Sequence, residues 1–113
     1  LSEERKGEGS VEIRKRVTAA REIQTERFKV LENVHYNAQM NTKQIRENCR
    51  LDATSLDLLK SAMEQLNLSA RAYDRILKVA RTIADLEANK TIQNHHIAEA
   101  IQYRSLDREG WLG

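Results

Sequence analysis

The stretch SARAYDRILKVARTIADLEA, residues 69–88, decides the fold because its pattern is that of one long amphipathic helix. Ser69 is a favourable N-cap residue, since its hydroxyl can accept a backbone N–H of the first turn. The apolar residues recur at intervals of three and four, which gathers them on one side of a helix; they are Ala72, Ile76, Val79, Ala80, Ile83 and Leu86. The opposite side carries Arg71, Arg75, Lys78 and Thr82. Such a helix needs other helices to cover its apolar side.

The sequence before residue 52 predicts two helices. A long first helix is expected from Ser10 onward, with mostly helical spacing of apolar residues; these are Val11, Ile13, Val17, Ala20, Ile23, Phe28 and Leu31. The pattern breaks over residues 33–41. Asn41 and Gln44 then have the spacing of a capping box, which predicts a short helix ending near Cys49.

One further helix is predicted on each side of residues 69–88. Asp52 or Ser55 can cap a third helix, for which Asn67 is a plausible stop. Its apolar residues have the 3-4-3 spacing of a buried stripe; they are Leu56, Leu59, Met63 and Leu66. Asn94 is predicted to cap a last helix, whose inward residues are Ile97 and Ile101.

These elements predict an all-α fold, a compact bundle of four or five helices. Residues 1–10 are polar and aperiodic, and we interpret them as a linker. Residues 11–104 form the helical domain, and residues 105–113 a polar C-terminal tail. The predicted core shares one helical period; its members are Leu56, Leu59, Met63, Ile76, Val79, Ala80 and Ile83.

Composition narrows the classes of function. The 113 residues include no proline and one cysteine, so an intramolecular disulfide is excluded and a cytoplasmic setting is favoured. No apolar run approaches the roughly 20 residues that cross a bilayer. A formal net charge of +2 is too small to indicate a nucleic-acid binder, so only local basic stripes could contact phosphate.

Arg71 is the leading candidate for chemistry. In the first turn of a capped helix, a guanidinium stands beside unpaired backbone N–H groups and the positive end of the helix dipole. This arrangement suits anion recognition, including charge that builds on a γ-phosphate during phosphoryl transfer. On spacing alone, a solvated polar face with Asp74 and Asp85 as loose ion-pair partners is the more common arrangement.

A resemblance to a known family favours anion recognition by Arg71 over a solvated polar face. Residues 68–108, LSARAYDRILKVARTIADLEANKTIQNHHIAEAIQYRSLDR, together with residues 7–28, GEGSVEIRKRVTAAREIQTERF, resemble the C-terminal part of magnesium-chelatase-like AAA+ ATPases of the ComM or YifB type. The resemblance implies a helical lid that follows an ATP-binding core, from which residues 1–10 would lead. It also implies that Arg71 is the sensor 2 residue, which reaches toward the γ-phosphate of ATP. Arg75 is a second candidate on the same face.

The resemblance further implies ATP and Mg²⁺ as cofactors of the intact bacterial protein, neighbouring subunits of a ring as partners, and DNA processing linked to competence as the setting. This chain contains no G-x-x-x-x-G-K-[ST] loop and no acidic strand end for Mg²⁺, so we expect no catalytic residue and no ATP hydrolysis in the chain alone. We expect no tetrapyrrole site either. Asp74 departs from the family pattern, which favours a neutral or basic residue, and could weaken the positive potential near Arg71.

The remaining polar residues have structural interpretations. His95 and His96 are adjacent and should point about 100° apart on a helix, so we predict no metal site. Cys49 is interpreted as a small buried residue. His35 belongs to a surface loop. The basic residues of the first helix, Arg14, Arg16 and Arg21, are interpreted as a solvated face.

Two alternatives to the lid remain open. One is a free-standing helical DNA-binding module that uses a basic helix face. The other is an interaction scaffold without any phosphate contact. Steep salt dependence of duplex binding would indicate the first.

Overall fold

Five α-helices build the computed structural model, which describes the backbone of residues 2–108 and the side chains of residues 9–103. The helices are α1 (Ser2–Arg27), α2 (Thr42–Asn48), α3 (Ala53–Leu66), α4 (Ala70–Leu86) and α5 (Asn94–Arg108). A short 3-10 helix, Asn37–Gln39, lies between α1 and α2. No strand occurs between residues 2 and 108, which confirms the predicted all-α bundle. Within the same range, none of the helices combines the length and the apolarity needed to cross a membrane.

Local capping fixes where three of the helices begin. Asn41 and Gln44 form the predicted capping box of α2, with both reciprocal hydrogen bonds at 2.9 Å. Asp52 caps α3 by accepting the Ser55 backbone N–H at 2.7 Å. Ser69 caps α4 by accepting the Ala72 N–H at 3.1 Å. These local signals explain why the sequence located the three starts correctly.

The beginning of α5 differs from the prediction. Asn94 is the first residue of the helix rather than its cap. Its side-chain oxygen accepts the Ser55 hydroxyl at 2.6 Å, which joins α5 to α3. The backbone N–H of Gln93 instead donates to Nδ1 of His96 at 2.9 Å. His96, the third residue of α5, therefore bonds the backbone N–H of the residue before the helix, as the third residue of a capping box does.

Helix α4 is the centre of the bundle, because α1, α2, α5 and the 3-10 helix all pack against it. Leu59, Ile76, Ala80 and Ile83 are buried as predicted. Other helices and loops complete the core; their buried apolar residues include Phe28, Met40, Ile45, Ile92 and Ile97.

Three predicted core residues are only half-buried. Leu56 and Met63 line a cavity of about 820 Å³ between α2, α3 and α4. Val79 lines a groove between α4 and α5. Helical periodicity identifies the apolar side of a helix, but it does not show whether a neighbouring element closes over each residue.

Helix α1 is longer than predicted. Its backbone is helical from Ser2, so residues 2–10, predicted as a linker, are helical; their connection to a preceding core stays a prediction. Residues 10–19 are exposed except for the half-buried Val17, and burial begins at Ala20. At the other end of the chain, α5 continues into the predicted tail as far as Arg108, and residues 109–113 lie outside the described part.

Candidate functional site

Arg71 lies in the first turn of α4, two residues after the Ser69 cap, with its side chain exposed. The Ser69 hydroxyl and carbonyl accept the N–H groups of Ala72 and Tyr73. None of the salt bridges among residues 9–103 includes Arg71. Its guanidinium therefore stands at the positive end of α4 without a carboxylate partner in that range, as anion recognition requires.

The rest of the predicted basic side divides into two parts. Arg75 is exposed one turn after Arg71. Lys78 donates through Nζ to the carbonyl of Ala38 at 3.1 Å, and Thr82 accepts the Asn37 side-chain amide at 3.1 Å. Lys78 and Thr82 thus hold the 3-10 helix against α4.

Asp74 belongs to another surface of α4. It lines the cavity between α2, α3 and α4, together with Arg46 and Thr42. The groove that Arg75 and Lys78 border lies on a different side of the helix and contains no Asp74.

Asp85 is the residue that the sequence interpretation placed incorrectly. It is a buried acceptor with 1% exposure rather than a loose surface partner. Arg27 of α1 binds both carboxylate oxygens at 2.8 Å across 58 residues of sequence. The Asn37 amide donates to Asp85 at 2.8 Å, and Arg81 lies 3.2 Å away. This buried cluster fixes the end of α1 and the 3-10 helix on α4.

Arg81 extends the buried cluster to the end of α4. Its guanidinium donates to the backbone carbonyls of Asn48, Asn89 and Lys90. Burial lowers the pKa of Arg81, while the charge of Asp85 opposes that shift. Among the buried side-chain atoms in the described part, Arg81 Nε has no hydrogen-bond partner. Arg81 and Asp85 lie on the otherwise apolar side of α4, and this position is the sequence signal that could have revealed the cluster.

Glu87, His95 and His96 meet at the α4–α5 turn. Both histidine Nε2 atoms lie 2.9 Å from the same Glu87 oxygen, and the potential metal-ligating atoms all lie within 4.8 Å of one another. The geometric reason given for the absence of a metal, that adjacent histidines point apart, is therefore wrong. The hydrogen bonds lower the pKa of Glu87, that from His95 most.

The tautomer of His96 gives a different reason to expect no metal. His96 is fully buried, and its Nδ1 accepts the Gln93 N–H, so the ring proton of the neutral imidazole is on Nε2. That N–H donates to Glu87. A histidine that ligates through Nε2 normally donates from Nδ1, and a donor already faces Nδ1 here. The absence of a metal stays a prediction on this basis.

The other candidates have the expected positions. Cys49 is buried, and burial raises the pKa of its thiol to about 11, which agrees with a small core residue. His35 is exposed in the loop after α1. Arg14, Arg16 and Arg21 are exposed along α1.

Comparison with known proteins identifies the family. Residues 7–104 match the family described as magnesium chelatase, subunit ChlI C-terminal. Competence protein ComM of Haemophilus influenzae is 44% identical over 103 residues, which cover 91% of this chain and 19% of ComM. Uncharacterized protein YifB of Escherichia coli is 41% identical over 102 residues, or 90% of this chain and 19% of YifB. An uncharacterised protein of Mycobacterium bovis is 30% identical over 98 residues, or 87% of this chain and 19% of that protein.

The chain thus spans about a fifth of the length of these relatives. The family match extends over most of its residues and includes α2, α3 and α4 in full. The chain therefore belongs to the magnesium chelatase subunit ChlI C-terminal family.

Proposed function

We propose that this chain is the helical lid of a magnesium-chelatase-like AAA+ ATPase and that Arg71 senses bound ATP. The observation that carries the proposal is the exposed guanidinium in the capped first turn of α4. Phosphate is favoured at this end of a helix, and an arginine fork meets two phosphate oxygens. The rest of the nucleotide site, including ATP and Mg²⁺, would belong to the intact protein.

The packing of α1 supports a coupling role for the domain. Arg27 and Asp85 join α1 to α4 through two hydrogen bonds of 2.8 Å in a buried setting. A buried bidentate pair holds two helices in one geometry. If α1 leads from an ATPase core, a movement of the lid changes the position of Arg71 and the direction of α1 together. This is how closure around ATP would be transmitted to a ring.

The test is Arg71→Ala in the intact protein. We expect ATP turnover to fall on the order of 10- to 1000-fold, the range for loss of one preorganised charge donor in a transition state. The free energy of unfolding should change by no more than about 0.5 kcal/mol, because the side chain is exposed. Arg71→Lys should restore activity only in part, since an ammonium lacks the planar fork.

Arg75→Ala is the matched control, because Arg75 is exposed one turn further along the same side. We expect it to affect turnover less than Arg71→Ala. If both variants keep turnover within about twofold, a difference of only about 0.4 kcal/mol in activation free energy, the sensor assignment is wrong.

For the intact protein we propose a role in DNA processing. The alternative is that this domain itself binds DNA, and the exposed residues Arg14, Arg16, Arg21, Arg71 and Arg75 are the observation that favours it. Duplex binding by the chain alone, with affinity that falls steeply as salt rises, would support that alternative. Salt-insensitive or absent binding would favour the lid.

A further inference from the structure

The groove between α4 and α5 is a recess that α5 itself borders. Val79 and Leu86 of α4 are half-buried in its lining, and Tyr103 of α5 forms one side with 48% of its surface exposed. The groove has a volume of about 400 Å³. The cavity between α2, α3 and α4 is larger, but its lining includes no residue of α5 among those that the structure describes. Of these two recesses, the groove is the one next to α5.

The sequence that follows α5 is short and carries two large apolar side chains. It reads Glu109-Gly110-Trp111-Leu112-Gly113, and Trp111 is the only tryptophan of the chain. Leucine is among the residue types most often buried, and tryptophan is highly buried on average. Their transfer out of water is favourable in proportion to the apolar area removed. Trp111 and Leu112 therefore favour contact with an apolar surface of the protein.

This C-terminal segment, residues 109–113, is long enough to reach the groove. Tyr103 precedes Arg108, the end of α5, by five residues, or about 7.5 Å of helix. Trp111 follows Arg108 by three residues, which span up to about 10 Å when extended. Gly110 lies between them and allows a sharp turn, since glycine adopts backbone angles that other residues avoid. A chain that turns back at Gly110 can therefore bring the indole to the level of Tyr103.

We propose that the groove is the docking site of the C-terminal segment, with the indole of Trp111 against Val79 and Tyr103. Two aromatic rings at such a contact attract each other beyond the effect of the area they bury. Leu112 would then cover more of the same apolar lining. A tethered segment has a high effective concentration at a nearby site, which favours it over the same segment of a second molecule. Docking would fasten the end of α5 to α4.

The proposal is independent of ATP sensing by Arg71, because none of the residues that it uses belongs to the first turn of α4. Either proposal can fail while the other stands.

The fluorescence of Trp111 tests the proposal in the 113-residue chain, because selective excitation of the only tryptophan reports on this segment alone. We expect its emission in the folded chain at shorter wavelength than in urea, and unchanged when the chain is diluted. Nuclear Overhauser contacts from the indole protons to the Val79 methyl groups and the Tyr103 ring should locate it in the groove. Trp111→Ala should lower the urea concentration at the midpoint of unfolding.

A matched pair of tyrosine variants separates the groove from other surfaces. Tyr103→Ala should move the emission of Trp111 toward its position in urea. Tyr36→Ala should leave it unchanged, because Tyr36 is 57% exposed in the loop after α1 and does not line the groove. Both substitutions truncate exposed side chains, and circular dichroism checks that the helices persist. The Overhauser contacts are measured on the unaltered chain and depend on neither variant.

Three results would overturn the proposal. The first is emission from Trp111 at the same wavelength in the folded chain and in urea. The second is Overhauser contacts from the indole to Leu56 or Met63, which would assign the segment to the cavity between α2, α3 and α4. The third is a shift in emission that disappears on dilution, which would assign it to a second copy of the chain.

Discussion

At the scale of the residue, Ala88 is in the left-handed region, with φ of 56°. It occupies the glycine position of a Schellman motif, because the Asn89 N–H donates to Ala84 O at 2.8 Å and the Ala88 N–H to Asp85 O at 2.9 Å. A side chain makes this conformation costly. We predict that Ala88→Gly stabilises the chain by about 0.5–1 kcal/mol in urea denaturation. Asn67→Gly is the control, since Asn67 also has positive φ, at 52°, but asparagine tolerates it; its effect should be smaller.

A second residue-scale prediction concerns Asp85. Asp85→Asn keeps the size of the side chain but leaves the guanidinium groups of Arg27 and Arg81 without their buried countercharge. The free energy of unfolding should fall by about 3–5 kcal/mol. The exposed pair of Glu12 and Lys15, 3.8 Å apart, provides the control, and Glu12→Gln should cost less than about 0.5 kcal/mol. Similar losses for the two variants would show that the Asp85 cluster does not hold α1 on α4.

Asp85 also shows a limit of sequence interpretation. A charged residue on a helix is exposed in most cases, so Asp85 was placed with the surface cations. The residue that binds both of its carboxylate oxygens, Arg27, lies 58 residues away, and no local spacing rule relates the two. Arg71, in contrast, was placed correctly in a capped first turn, because Ser69 and Ala72 are close in sequence.

At the scale of the element, the turn from α4 to α5 should respond to acid. Glu87 accepts hydrogen bonds from His95 and His96, which lower its pKa in the folded state. Above about pH 4.3 the carboxylate is charged in both states and its hydrogen bonds favour folding. Below that pH the unfolded state takes up the proton first, so this stabilisation is lost as the pH falls toward the folded pKa.

The prediction is tested with Glu87→Gln, which cannot titrate. The difference in unfolding free energy between the two proteins, measured from pH 5 to pH 3, should shrink as the pH falls below about 4.3. A difference that stays constant to pH 3 would show that the charge of Glu87 is irrelevant to the turn.

At the scale of the element, the helix starts also show which features the local sequence could predict and which it could not. Asn41, Asp52 and Ser69 identified the starts of α2, α3 and α4, because each side chain bonds a backbone N–H within its own first turn. The start of α5 was misplaced by one residue because the Asn94 side chain bonds Ser55 of α3 and not its own first turn, while His96 accepts the Gln93 N–H. Sequence spacing does not contain that information.

At the scale of the whole molecule, helical periodicity predicted the bundle but not the cavity and the groove on its surface. Helix α4 packs against three other helices, so its apolar side had to be buried somewhere. Whether Val79 and Met63 are covered depends on how closely neighbouring helices approach, which is a property of the assembled domain. The groove and the cavity they line could therefore be found only in the structure.

The last prediction is that the 113-residue chain neither hydrolyses ATP nor binds it tightly. A single exposed arginine and one helix start provide charge-assisted hydrogen bonds worth about 1.5–3 kcal/mol each, whereas a Kd of 1 µM requires about 8.2 kcal/mol. The sequence contains no G-x-x-x-x-G-K-[ST] loop to supply the difference. We expect turnover at the buffer blank and a calorimetric Kd for MgATP weaker than about 1 mM. Turnover that survives repurification and disappears in Arg71→Ala would show that this domain contains catalytic machinery of its own.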